Sequence, residues 1–256
     1  MRFRNLILIA VLCAFTATSA YAIPMGQVRA RKGYWGIAVE ASADRRQTEW
    51  MSEPKRKTEV RNTYGITRLS YGLGDGMELS FLIGVANLDF TREVGVFNSR
   101  EETFNGDGQV GWGFKYGGIL ADGKHFQLAG IASFFRHADH NGPGIGFLNS
   151  DNVDYQEYNF GLHYQYKSNK ISPYLGIKYS DGRLDYDVFQ GRKGEGRDVS
   201  VKQLGLYGGV WFNLIKGWSG FGEARYGDET SFGGGISYNF EIPWKKGSSK
   251  TSGGYR

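Results

Sequence analysis

The stretch QEYNFGLHYQYK, residues 156–167, decides how this chain folds. Tyr158, Phe160, Leu162, Tyr164 and Tyr166 fill every second position, with Glu157, Asn159, Gly161, His163, Gln165 and Lys167 alternating against them. Successive side chains leave a strand on opposite faces, so a period of two predicts an extended segment with one apolar face and one charged face. The apolar face must meet either a second sheet or lipid. The rest of the chain separates these two possibilities.

The N-terminus points to export. Arg2 and Arg4 precede an unbroken apolar run at 6–15, and Ala20-Tyr21-Ala22 places small residues at the two positions a signal peptidase reads. This predicts a signal peptide over 1–22. Cleavage there would remove two of the 31 basic residues, leaving a near balance with the 26 acidic ones. So even a balance argues against a nucleic-acid partner, which requires a concentrated basic face. The only cysteine, Cys13, falls in the leader, so disulfides, thiolate metal sites and cysteine nucleophiles are not expected in the mature chain. No metal, cofactor or catalytic set is expected either.

All 39 glycines lie after position 22, more than twice the usual ~7%. They alternate with aromatics, as in GWGFKYGG (111–118) and FGGGISYNF (232–240). Small residues on a crowded inner face and rings on a lipid face would give this pattern. Period-two segments recur near 32–42, 60–73, 77–89, 108–120, 125–137, 155–167, 171–182, 199–214, 218–227 and 230–242. Each approaches the ~9–11 residues that cross a bilayer on a tilt. Tight turns at 74–76, 121–124, 168–170 and 215–217 alternate with long polar connections at 43–59, 90–107, 138–154 and 183–198. That alternation predicts an all-β, transmembrane, antiparallel up-and-down barrel of about ten strands over 23–242. The short turns and both termini would be periplasmic. The last hairpin, at 227–229, is an exception: it is short on the outer side. A basic tail over 243–256 is expected to be disordered.

The segment GISYNF (235–240) resembles the C-terminal assembly signal of bacterial outer-membrane barrels at Gly235, Tyr238 and Phe240. The hairpin at 71–90, YGLGDGMELSFLIGVANLDF, is similar to those of small outer-membrane barrels of the protein A, X, W and opacity type. Gly233, where a polar residue is usual, and the extension at 241–256 depart from that pattern. The resemblance implies residence in the outer membrane of a Gram-negative cell envelope, with periplasmic chaperones and the barrel-assembly machinery as partners in biogenesis.

Three sets of residues are candidates for function. The inward charges Glu40, Arg68, Glu78, Lys115, Glu157, Lys167, Lys178, Glu223 and Arg225 would pair in a narrow lumen, because isolated buried charges are costly. A barrel near eight strands is just filled by its side chains, which favours a salt-bridged interior and a structural or surface-interaction role. The alternative is a narrow porin-like path for small hydrophilic or ionic solutes. The basic residues Arg45, Arg46, Lys55, Arg56 and Lys57 are expected to contact lipopolysaccharide phosphates or outer-membrane lipid. At the outer rim, His137, Asp139 and His140 with Asp185 and Asp187 resemble, in reversed order, the Asp-x-Asp and Asp-x-His pairs of outer-membrane aspartyl-type proteases. A rim hydrolase is therefore the third reading. The run at 106–111 satisfies G-x-G-x-x-G but leads from a loop into a strand, so no helix N-terminus would receive a phosphate.

Overall fold

The computed structural model describes residues 32–50, 53–94, 100–139, 152–187, 195–200 and 203–241. The chain forms β1 (Tyr34–Trp50), β2 (Glu53–Gly74), β3 (Met77–Val94), β4 (Arg100–Asp122), β5 (Phe126–Asp139) and β6 (Asn152–Tyr166). It continues with β7 (Ile171–Asp187), β8 (Glu195–Ser200), β9 (Leu204–Ile215), β10 (Trp218–Tyr226) and β11 (Glu229–Glu241). Neighbours in sequence pair antiparallel, except β8 and β9, which both pair with β7, and β11 returns to β1 at Tyr34↔Glu241. Ten strands close the barrel. Closure removes the exposed edges that an open sheet would present.

The extra segment, β8, is the upper part of the eighth strand, whose lower part is β9. Strand β7 pairs with β9 over Ile171 to Tyr179 and with β8 over Arg183 to Asp187. Beyond the break, β8 crosses to β1, pairing Thr48↔Ser200 and Trp50↔Asp198. The wall therefore has ten strands at the short-turn end and eight, β1 to β8, at the long-connection end. The short hairpin between β10 and β11 ends beneath this eight-strand collar.

The strands reach much further than periodicity indicates. Positions 43–59, expected as a loop, are mostly β1 and β2, and most of 90–107 belongs to β3 and β4. The pleat itself continues there: Ser42, Asp44, Arg46 and Thr48 stay inward and buried. What changes is the exterior. On β1 it passes from Val39 and Ala41 to Arg45, and on β2 from Leu69 to Arg61. Once both faces carry polar groups, a strand no longer shows hydrophobic alternation.

Between the turns and this boundary the exterior is apolar. Ile83, Val85, Phe160, Leu175, Ile177 and Leu206 all expose about half or more of their surface. A soluble protein rarely exposes a continuous apolar belt of this extent, and lipid is the medium that matches it. The interior is packed. Val60, Leu88, Val153, Tyr155 and Leu184 fill the upper part. Another layer joins Tyr64, Ile66, Leu82, Ala86 and Phe135, and a third joins Ala129, Ile131, Tyr174 and Tyr207. Inward glycines make that filling possible. A Cβ at Gly111 would lie 2.4 Å from the Phe135 ring, and one at Gly209 would lie 2.5 Å from the Tyr174 hydroxyl.

Candidate functional site: the charged interior

Among the described residues, the largest group of candidate side chains lies within the barrel, in two linked clusters. In the upper one, Lys178 on β7 reaches Asp228 Oδ2 at 2.8 Å and Glu229 Oε1 at 2.6 Å. Arg225 Nη1 lies 3.0 Å from the same Glu229 oxygen, and its Nε lies 2.8 Å from Glu223 Oε1. Arg46 on β1 pairs with Glu229 and lies 3.2 Å from Glu157 Oε1 on β6, so it connects walls on opposite sides of the lumen. The Asn159 amide donates to Glu157 at 2.8 Å, the Tyr174 hydroxyl donates to Glu223 at 2.8 Å, and the Ser180 hydroxyl donates to Asp228. The charged partners have essentially no exposed side-chain surface.

The lower cluster centres on Arg68, whose Nε lies 2.6 Å from Glu40 Oε1 and whose Nη1 lies 3.5 Å from Glu78 Oε1. Ser70 and Ser80 hydroxyls share a 2.8 Å hydrogen bond beside it. The buried Lys115 ammonium lies in the field of Arg68, Glu40, Glu78 and Glu223, without a hydrogen bond among the described residues. At the short-turn end a depression lined by Arg68, Ser70, Glu78, Trp211 and Ser237 has room for only about one water.

Of the nine charges expected inside, eight are buried there, and the structure joins them to Arg46, Asp228 and Glu229. Lys167 is the exception. It follows the last residue of β6 and reaches sideways to Asp122 Oδ1 at 2.7 Å and the Gly123 carbonyl at 3.0 Å, joining two short turns in an exposed pair. The alternation that placed it inward ends with the strand.

Arg46 also differs from expectation. The sequence groups it with a surface-facing basic loop, but it faces inward on β1 and is committed to carboxylates. Arg45 does face outward and pairs with Glu59 at 2.5 Å, while Arg61 reaches the same carboxylate at 2.7 Å. The backbone of Lys55, Arg56 and Lys57 belongs to β2, and their side chains lie outside the described residues. Further outward pairs, Arg136–Asp154 at 2.6 Å and Arg183–Asp181 at 3.0 Å, sit on β5 to β7.

Of the rim set, the two described side chains, His137 and Asp185, do not converge. His137 faces the interior, with Nδ1 2.6 Å from Gln109 Oε1 and its ring against Tyr64 and Tyr155. Asp185 is on the partly exposed outer face of β7, alternating with buried Leu184. His140 and the side chains of Asp139 and Asp187 lie outside the described residues. Among the described residues no three His, Cys, Asp or Glu side chains group as metal ligands. The glycine run at 106–111 lies within β4. There Gly108, at φ 70°, donates its amide to Asn87 Oδ1 at the point where the β3–β4 register shifts.

Near the C-terminal strand, Tyr238 stacks on Phe240 and packs against Trp218, with both rings on the alternation that faces out. Gly235 faces in, where a Cβ would meet the Val39 carbonyl at 2.6 Å.

A closed up-and-down barrel, apolar outside and polar within, is the architecture of bacterial outer-membrane proteins. No protein-family model matches the sequence, and no curated protein is detectably similar to it. Likeness is found among solved structures. The outer membrane protease OmpT from Escherichia coli is 9% identical at a TM-score of 0.47, covering 81% of this chain and 96% of that one. The outer membrane protein OprG from Pseudomonas aeruginosa is 11% identical at 0.44, covering 86% and 100%. Ail, the attachment invasion locus protein of Yersinia pestis, is 12% identical at 0.40, covering 82% and 100%.

Sequence reasoning did not identify Asp44, Asp228 and Glu229 as interior residues. Asp228 and Glu229 could have been found from the outer turn at 227–229: it is too short to reach the rim, so its carboxylates must end against the wall.

Proposed function

We propose that this chain is a non-enzymatic integral outer-membrane barrel, exported by its leader and inserted with its short turns and termini on the periplasmic side. Its role is structural or surface-directed. The observation that carries this reading is the filled interior: apolar layers alternate with ion pairs that have almost no accessible surface. Such an interior rigidifies a barrel and leaves no continuous aqueous path. The separation of inward His137 from outward Asp185 supports the non-enzymatic part of the reading.

The surface role rests on the outer belt. Arg45 and Arg61 remain well exposed beside Glu59, just above the apolar band, at a height where lipopolysaccharide phosphates would lie. The inward Gly235 and outward Tyr238 and Phe240 support recognition by the assembly machinery. The deciding experiment is planar-bilayer recording of the refolded protein. A silent trace is expected across a range of voltages and salts. Discrete, reproducible openings would instead establish the porin-like reading.

A further inference from the structure

The upper charge cluster already holds more carboxylates than cations before one of its members is counted. Among the described residues, three cations, Arg46, Lys178 and Arg225, face four carboxylates, Glu157, Glu223, Asp228 and Glu229, and every one of the seven has an ion-pair partner within the set. Asp44 is a fifth carboxyl in the same space. It is 1% exposed and lies one residue pair along β1 from Arg46, facing inward.

We propose that Asp44 is a proton-binding site, occupied at neutral pH inside the folded barrel. Neither carboxyl oxygen makes a hydrogen bond of normal geometry, and each has less than 1 Å² of accessible surface. Asn62, directly across the β1–β2 pair, is close enough to interact with the carboxyl. Its amide still forms no regular hydrogen bond with it. The groups facing Asp44 add little positive charge. From β2 there are Asn62 and the Tyr64 phenol, from β6 Tyr155 and Glu157, and from the last hairpin Glu229. Arg46, on its own strand, is the cation in reach among the described residues, and Glu157 and Glu229 already engage it. An ionised Asp44 would thus add a negative charge to a cluster already one carboxylate in excess, beside Glu157 and Glu229, in a space with almost no solvent.

Three particles could relieve such a carboxylate. Water and a metal cation both need a void, and these oxygens adjoin none of water size. A proton needs no space. It converts Asp44 into a neutral acid that can sit among Tyr64, Tyr155 and Asn62.

The proposal makes a signed prediction through proton linkage. The unfolded chain releases this proton above about pH 4, while the folded barrel keeps it. Folding then takes up a proton, so wild-type stability falls as pH rises relative to a variant that cannot ionise at position 44. Asp44→Asn supplies that comparison, and Asp44→Ser replaces it should the asparagine variant not refold. Urea unfolding of both proteins in the same lipid would be followed from pH 4 to pH 8. The expected result is that the ratio of unfolding equilibrium constants, wild type over variant, climbs towards tenfold per pH unit. That ratio should level off only when Asp44 ionises in the folded barrel. Infrared spectra at neutral pH should also show a protonated-carboxyl carbonyl band in the wild type that is lost in the variant. A ratio independent of pH would overturn the proposal, as would an unchanged carbonyl band. So would a variant destabilised equally at every pH, since that marks Asp44 as an ionised, paired carboxylate.

Discussion

Replacing Lys178 with leucine removes the cation that bridges Asp228 and Glu229 at 2.8 and 2.6 Å. Glu229 keeps Arg46 and Arg225, but Asp228 is left with Arg46 at 4.0 Å and the Ser180 hydroxyl. Breaking a buried pair from one side costs about 3–5 kcal/mol, and the leucine recovers part of this by burying methylenes. A net loss of about 2–4 kcal/mol is expected. With a urea dependence of roughly 2 kcal/mol per molar, the unfolding midpoint should fall by about 1–2 M. The matched control is Lys167→Leu. Lys167 also makes a 2.7 Å ion pair, yet it and Asp122 are about one-third and one-half exposed, so the pair should contribute less than about 1 kcal/mol. Both variants should be unfolded from the same lipid and the midpoints compared. A Lys178→Leu shift no larger than that of Lys167→Leu would refute the reasoning, because the interior network would then add nothing beyond a surface pair.

Leu175 lies three residues from Lys178 on the opposite face of β7 and exposes 68% of its surface. Leu175→Lys places a charge in lipid at a cost of about 2–4 kcal/mol near mid-depth, so the yield of inserted protein should drop. Full insertion of that variant would mean that inside and outside are exchanged. Gly209→Ala should destabilise by about 1–3 kcal/mol. Its methyl would arrive 2.4 Å from the Gly222 carbonyl and 2.5 Å from the hydroxyl with which Tyr174 binds Glu223. Thermal unfolding indistinguishable from wild type would show that the interior is looser than the described contacts.

The barrel was legible in the sequence wherever one face met lipid. The stretch at 156–166 gave its faces correctly, with Tyr158, Phe160 and Leu162 outward and Glu157, Asn159 and His163 buried, while Lys167, past the end of β6, departs from the alternation. Legibility ended at the height of Ala43 and Thr63, where the exterior becomes charged and β1 and β2 no longer differ in pattern from a polar loop. Position 46 shows the consequence. Arg45 and Arg46 are adjacent, and only the continuing pleat sends one to the surface and the other into the lumen. The break between β8 and β9 was illegible for a different reason. Nothing local in 199–214 records that its upper part pairs with β1 instead of β10. That choice is set by a contact more than a hundred residues away.

The collar implies that the wall is completed twice. At the level of Ser200 the wall already closes as a ring, since β8 pairs with β7 and β1 there and β10 and β11 take no part. Below the collar the last hairpin sits as a wedge open to the short-turn side, between β9 and β1. Its contact with β1 offers a single ladder pair, Tyr34↔Glu241. Two carboxylates at the tip of the wedge, Asp228 and Glu229, meet cations held ready by β1 and β7. The wedge is therefore held from inside the lumen as well as along its edges. Its latch is electrostatic, and its two halves lie within one polypeptide.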